Sequence, residues 1–185
     1  MSHHNLELVK AFPRIVRSDA IHLVSSLSEP ARTSHAFTVS VSGEPVEIPY
    51  RIYHDLNSEN LDSLTPVQIE LWDCLLTRHH DGFIREEYLS RIIQCDHTWI
   101  PPFVVQLIGE YVISIVQLVR ERIEALPRNL YRDFLAQNPA FYKVTKQRVM
   151  SYWDCYYRGL KKADYPGFQV LEFLDQLQLE TSRKD

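Results

Sequence analysis

The segment from Pro101 to Glu124 constrains the fold more than any other, because its polar residues recur at helical steps within an otherwise apolar run. Gln106, Glu110, Ser114, Gln117, Glu121 and Glu124 stand three or four apart, which at about 100° per residue confines them to an arc of roughly 80°. The spacing predicts one helix over about 101–126, buried on most of its circumference. A membrane span is the competing use of so apolar a window. Pro101 and Pro102 at its start, and a polar stripe that a lone spanning helix would carry at high cost, favour the core of a globular fold.

Around that helix the chain reads as a mainly α single-domain bundle, residues 1–185, with one small β-hairpin at about 36–53. At 185 residues it is long enough to bury a core without staples. Ala36–Val41 and Val46–Tyr53 are rich in β-branched and aromatic residues, and Ser42-Gly43-Glu44-Pro45 separates them with turn chemistry. Thr65-Pro66-Val67-Gln68 is a capping box that opens a helix from Pro66 to about Arg78. Asp81-Gly82 ends it and starts another, Phe83 to about Gln94.

Further helices are expected over Arg128–Gln137, from Pro139 behind an Asn138 cap to roughly Leu160, and around Phe168–Leu177. Residues 1–30 read either as packed on the core or as a loosely packed segment, with Ser18 capping a helix from about Asp19 to Leu27. Residues 181–185 read as a frayed tail.

Cys74, Cys95 and Cys155 are widely separated and form no Cys-x-x-Cys pair, so reduced, buried thiols are expected. Met1–Lys10 holds no apolar export run, and a cytoplasmic location is the expectation that follows.

Glu110, midway along an apolar helix with Gln106 one turn before it, is the candidate for acid–base chemistry or a ligand pocket, since burial raises a carboxyl pKa. The alternative is a solvent edge. His79, His80 and Asp81 in the helix–helix turn, with His97 further on, offer ligand types suited to zinc, manganese or iron. Their spacing matches no metal motif, adjacent histidines on a helix diverge by about 100°, and a polar helix end is the simpler reading. No glycine-rich phosphate loop or Gly-x-Ser-x-Gly elbow is present, and no cofactor is implied.

Asp81-Gly82-Phe83-Ile84-Arg85, followed by Leu89, resembles the Asp-x-x-Val-Arg signature that opens the second helix of HEAT repeats. The likeness covers about ten residues, with no second copy at a period near 40. It implies helix pairs stacked in sequence as a scaffold, and transfers no functional residue.

Charge is unevenly spread. Arg128–Lys162 holds 8 Lys and Arg against 2 Asp, a net of +6 that leaves −10 for the rest of a chain whose total is −4. On the expected long helix Lys143, Lys146, Arg158 and Lys161 share a face about 120° wide, beside Tyr142, Val149, Trp153, Tyr156 and Leu160. Such a face suits a protein partner or self-association. Single-stranded nucleic acid is an alternative ligand, against which an overall pI of about 6.1 weighs. The expectation is a non-enzymatic cytoplasmic interaction or scaffold module, a homo-oligomer among its forms.

Overall fold

In the computed structural model, residues 3–28, 31–55 and 61–179 are described. The fold is mainly helical with a small antiparallel hairpin, and the polypeptide divides into two compact units, Met1–Ile92 and Ile93–Asp185.

The first unit runs α1 (His3–Val9), α2 (Arg17–Ser26), β1 (Arg32–Thr33), β2 (Ala36–Val41), β3 (Glu44–Pro49), β4 (Ile52–Tyr53), α3 (Pro66–Leu76) and α4 (Gly82–Ile92). Of the two readings left open for the N-terminal segment, its described residues follow the packed one: Leu8, Phe12, Leu23 and Val24 are buried, and α1 packs on α2 and α2 on α3. Ser18 does not cap α2, whose first residue is Arg17 and whose cap position is Val16.

The hairpin is tighter than its composition suggested. Ser42 and Gly43 alone form the turn, with φ of +52° and +82°, the two-residue geometry that matches the strands' own twist. Pro45 therefore lies inside β3, opposite Ser40. Ile52–Tyr53 leaves the hairpin to pair with β1. On its other side Ile52 N–H donates to Arg78 O (2.8 Å) and His80 N–H donates to Ile52 O (2.9 Å), so the α3–α4 turn is hydrogen-bonded to β4 like a short parallel strand.

The capping box forms as expected: Gln68 N–H donates to Thr65 Oγ1, and Thr65 N–H donates to Gln68 Oε1 (3.1 Å). Two charged side chains fasten the next turn. Phe83 N–H donates to Asp81 Oδ1 (2.8 Å), which starts α4. Arg85, fully buried, donates through Nη1 to the carbonyls of His79 and His80, both at 2.9 Å.

The second unit runs α5 (Pro101–Ile108), α6 (Ile113–Glu121), a 3-10 turn (Ile123–Ala125), α7 (Arg128–Gln137), α8 (Pro139–Tyr156), a second 3-10 turn (Lys162–Asp164) and α9 (Pro166–Leu179). The single buried rod expected over 101–126 is broken. The chain leaves helical geometry at Gly109 (ψ +41°) and re-enters after an extended Val112. Gly109 has poor helix propensity, and the β-branched Val112 and Ile113 that follow resist propagation across it.

The polar stripe is thereby divided between two environments. Every residue of α5 is buried, Gln106 included, and so is Glu110, whereas Gln117, Glu121 and Glu124 face solvent. α5 is the element around which α6, α7 and α8 pack, and α9 closes against α6, α7 and α8.

α8 starts at Pro139 with Asn138 in the N-cap position, as expected, but the Asn138 side chain makes no cap; its Nδ2 donates back to Phe134 O (2.9 Å) and finishes α7. α8 ends at Tyr156 rather than near Leu160. None of the three thiols is in a disulfide, but Cys74 is buried, Cys95 partly so and Cys155 exposed, which corrects the expectation of three buried ones. No helix among the described residues is long and apolar enough to cross a membrane. The tail at 181–185 lies outside the described residues.

Candidate functional site

The break after α5 and the end of α8 meet. A Cβ placed on Gly109 would lie 3.1 Å from Arg148 Cβ and 3.2 Å from its Cδ, so the arginine stem crosses the backbone where α5 stops. The buried side of that crossing helix begins with Tyr142, and just beyond its last turn Tyr157 O–H donates to Tyr111 O (2.8 Å). The elbow at 109–112 is thus held by a helix about forty residues away in sequence.

This junction carries a row of aromatic rings. Tyr111 and Tyr152 have centroids 6.2 Å apart, Tyr152 and Tyr156 stack at 6.2 Å, Tyr156 continues to Tyr157 at 6.4 Å, and Tyr157 stacks on buried Tyr165 at 5.4 Å. Tyr111 is 51% exposed and Tyr156 67%. Trp153 pins the chain beyond the helix by donating its Nε1–H to Leu160 O (3.0 Å). Lys162 Nζ lies 4.9 Å over the Trp153 ring and 5.7 Å from that of Phe168. Desolvation pushes the Tyr165 phenol up to about 12, with Tyr157 adding to the shift.

Arg158, Lys161 and Lys162, which follow Tyr157 in the sequence, are all exposed. The four cations expected to share one face do not do so, because α8 stops before Arg158. Lys143 is exposed on the helix. Lys146 is paired with Asp175 (2.6 Å) and sits over the Tyr142 ring, Arg158 is paired with Asp154 (2.6 Å), and Lys161 lies in the loop. The aromatic positions split likewise: Tyr142 and Val149 are core, as a structural stripe requires, while Trp153, Tyr156 and Leu160 reach the surface. Tyr111 and Tyr152 were not legible as members, since only the folded elbow brings them together.

The other candidates have clear places. Glu110 and Gln106 are each 3% exposed. His79 is buried with both ring nitrogens engaged: Nδ1 accepts from Asp81 N–H (3.1 Å), so Nε2 carries the proton and donates to His54 O (3.0 Å). Burial holds its pKa below the usual histidine range, and no lone pair is left for a metal. His80 stacks on Tyr53, and His97, in the second unit, stacks on Trp99. Among the described residues no three His, Cys, Asp or Glu side chains are grouped to hold a metal ion. A separate cleft of about 460 Å³ lies between α6 and α9, lined by Glu121, Glu124, Glu172 and Phe173 among others, with Arg120 Nε donating to Gln169 Oε1.

Sequence reasoning also passed over Asp73, a buried carboxylate on α3. Desolvation raises its pKa to about 6, against the pull of Arg91 at 3.7 Å and with Glu70 and Glu87 adding to the rise. Above the unfolded value the native state holds this proton more tightly, so its stabilising effect is full at low pH and fades as pH rises through about 6. Asp73→Asn is therefore expected to match wild type near pH 4 and to exceed it at pH 7.5 by roughly 1–2 kcal/mol. Urea denaturation at the two pH values reads this. His79 acts with the opposite sign, favouring the native state above about 6.5 and less so below, and it cancels in the wild-type–variant difference.

No known protein family, no curated protein and no solved structure matches the chain.

Proposed function

We propose that the chain is a non-enzymatic interaction module that docks an acidic polypeptide segment on the aromatic–basic surface formed by the elbow at Gly109–Val112 and the end of α8. The observation that carries this reading is the row of Tyr111, Tyr152 and Tyr156, the first and last exposed and Tyr152 half-buried, with exposed Arg158, Lys161 and Lys162 following in the chain. Tyrosine, tryptophan and arginine are the residues that dominate binding energy at protein interfaces, because large, stiff rings bury much area for little lost entropy. The net of +6 over Arg128–Lys162 supplies complementarity to an acidic partner and steers its approach.

Nucleic acid is the weaker match. An overall pI of about 6.1 lacks the strongly basic balance of a nucleic-acid-binding domain. The interaction role, self-association and a cytoplasmic setting go together in this proposal.

The test is fluorescence anisotropy with a labelled glutamate-rich peptide containing interspersed leucines. Tyr156→Ala is expected to weaken binding about tenfold or more while leaving the melting temperature unchanged, since Tyr156 is mostly exposed. Arg158→Glu with Lys161→Glu should abolish it. Binding of a single-stranded oligonucleotide in preference to the peptide, falling steeply with salt, would replace this reading with the nucleic-acid one.

A further inference from the structure

The turn between α3 and α4 is closed by hydrogen bonds whose polarity is fixed at one histidine. His79 is 3% exposed. Its Nδ1 faces Asp81 N–H (3.1 Å) and its Nε2 faces His54 O (3.0 Å). A backbone N–H only donates and a carbonyl only accepts, so the closed turn admits one form of the ring, the neutral Nε2–H tautomer. A protonated ring donates from both nitrogens. Nδ1–H and Asp81 N–H then meet donor to donor at 3.1 Å, with the ring out of reach of solvent.

Little around the ring stabilises an added charge. Among the described residues, the ionisable groups that face it are His54, from the chain leaving β4, His80, whose ring lies 4.3 Å away, and Asp81. The buried guanidinium groups of Arg78 and Arg85 border the same turn. Asp81 is the carboxylate in this set, and its Oδ1 already accepts from Phe83 N–H (2.8 Å) at the start of α4. To reach an imidazolium it has to leave that N–H. The His54 carbonyl favours the charged ring, but burial outweighs it.

Two elements are fastened at this turn. Ile52 N–H donates to Arg78 O and His80 N–H to Ile52 O, which ties it to β4, and Arg85 reaches the carbonyls of His79 and His80 from α4. A break at Asp81 therefore falls between the tie to β4 and the first turn of α4.

We infer that the α3–α4 turn is an acid-opened latch: protonation of His79 sets its Nδ1–H against Asp81 N–H, and the first turn of α4 opens while α3 stays folded. In the open turn the imidazole is solvated and titrates at about 6.5, whereas in the closed turn it takes a proton less readily. Above about 6.5 both forms are neutral and the latch is at its tightest. As pH falls below that value the opening constant rises by up to about tenfold per unit, until the closed form protonates too. Asp73, in the body of α3 with Arg91, Glu70 and Glu87 about it, has the opposite sign, so acid favours the folded helix even as it loosens the turn. The response is local.

The test is amide exchange of the full chain by NMR at about pH 7.5 and about pH 5, expressed as protection relative to an unstructured peptide at the same pH. Protection of Asp81 and Phe83 should fall about tenfold at the lower pH, while that of amides in the middle of α3 holds. Imidazole NMR of the wild type should show His79 as the Nε2–H tautomer at the higher pH, with its protonation tracking the loss at Asp81. His79→Gln, which cannot take up the proton, should be equally protected at both pH values, and His80→Gln, which keeps the trigger, should retain the loss. Equal protection of wild-type Asp81 at both pH values, a His79 that protonates without that loss, an Nδ1–H tautomer at the higher pH, or a loss that spreads through α3 would each overturn the inference. So would a loss that persists in His79→Gln or vanishes in His80→Gln, and the wild-type imidazole titration decides the matter if either variant does not fold. The latch is independent of the α8 surface, and either can fail alone.

Discussion

Arg85→Ala is expected to destabilise the first unit by about 3–5 kcal/mol, enough to unfold a domain of ordinary stability. The guanidinium is fully buried and its partners are the carbonyls of His79 and His80, where the chain turns from α3 into α4. Backbone acceptors cannot be deleted with the donor, so truncation leaves two of them desolvated and adds a cavity. The damage extends past the turn, because the same stretch hydrogen-bonds to β4 through Ile52 and positions the ring of His79. Arg85→Lys retains a charge but not the fork that reaches both carbonyls, and should recover less than half the loss. Urea denaturation followed by fluorescence reads the effect, with Trp72 reporting on this unit and Trp99 and Trp153 on the other.

Gly167→Ala is the second large effect, and two principles oppose each other there. Alanine is better than glycine in a helix by about 1 kcal/mol, and Gly167 lies in the first turn of α9. Yet an added Cβ would stand 2.6 Å from Tyr165 Cε1 and 2.8 Å from Val149 Cγ1. Both neighbours are fully buried and neither is the loose end of a flexible chain. Overpacking should win, for a net loss of about 1–3 kcal/mol, and Gly167→Val should lose more. Gly109→Ala is the contrast: its added Cβ would meet Arg148 Cβ at 3.1 Å and Cδ at 3.2 Å, a clash of a few tenths of an ångström rather than an overlap, and its effect should stay within about 1 kcal/mol. Thermal melts of the three variants rank them.

Elements defined by local chemistry were legible from the residues alone. Thr65-Pro66-Val67-Gln68 set a helix start because both hydrogen bonds of its cap lie within four residues. Asp81 likewise marked the start of α4. What failed depended on partners distant in sequence. The stripe from Gln106 to Glu124 keeps helical spacing across Gly109, so periodicity alone could not reveal that the chain bends there under Arg148 and Tyr157. Asn138 has the composition of an N-cap, but its amide turns back to Phe134. Of the expected basic face, Lys146 and Arg158 were claimed by aspartates whose pairing the sequence does not announce.

As proposed, the aromatic row at the end of α8 docks an acidic chain. The most direct measurement is an amide and indole NMR titration of the full chain with the glutamate-rich peptide. The Trp153 indole and the amides of Tyr111, Tyr152, Tyr156 and Arg158 should shift and saturate together, and the same titration of Tyr156→Ala should leave them nearly still. Saturable shifts confined to other residues, or no shift at any of these five, would contradict the account.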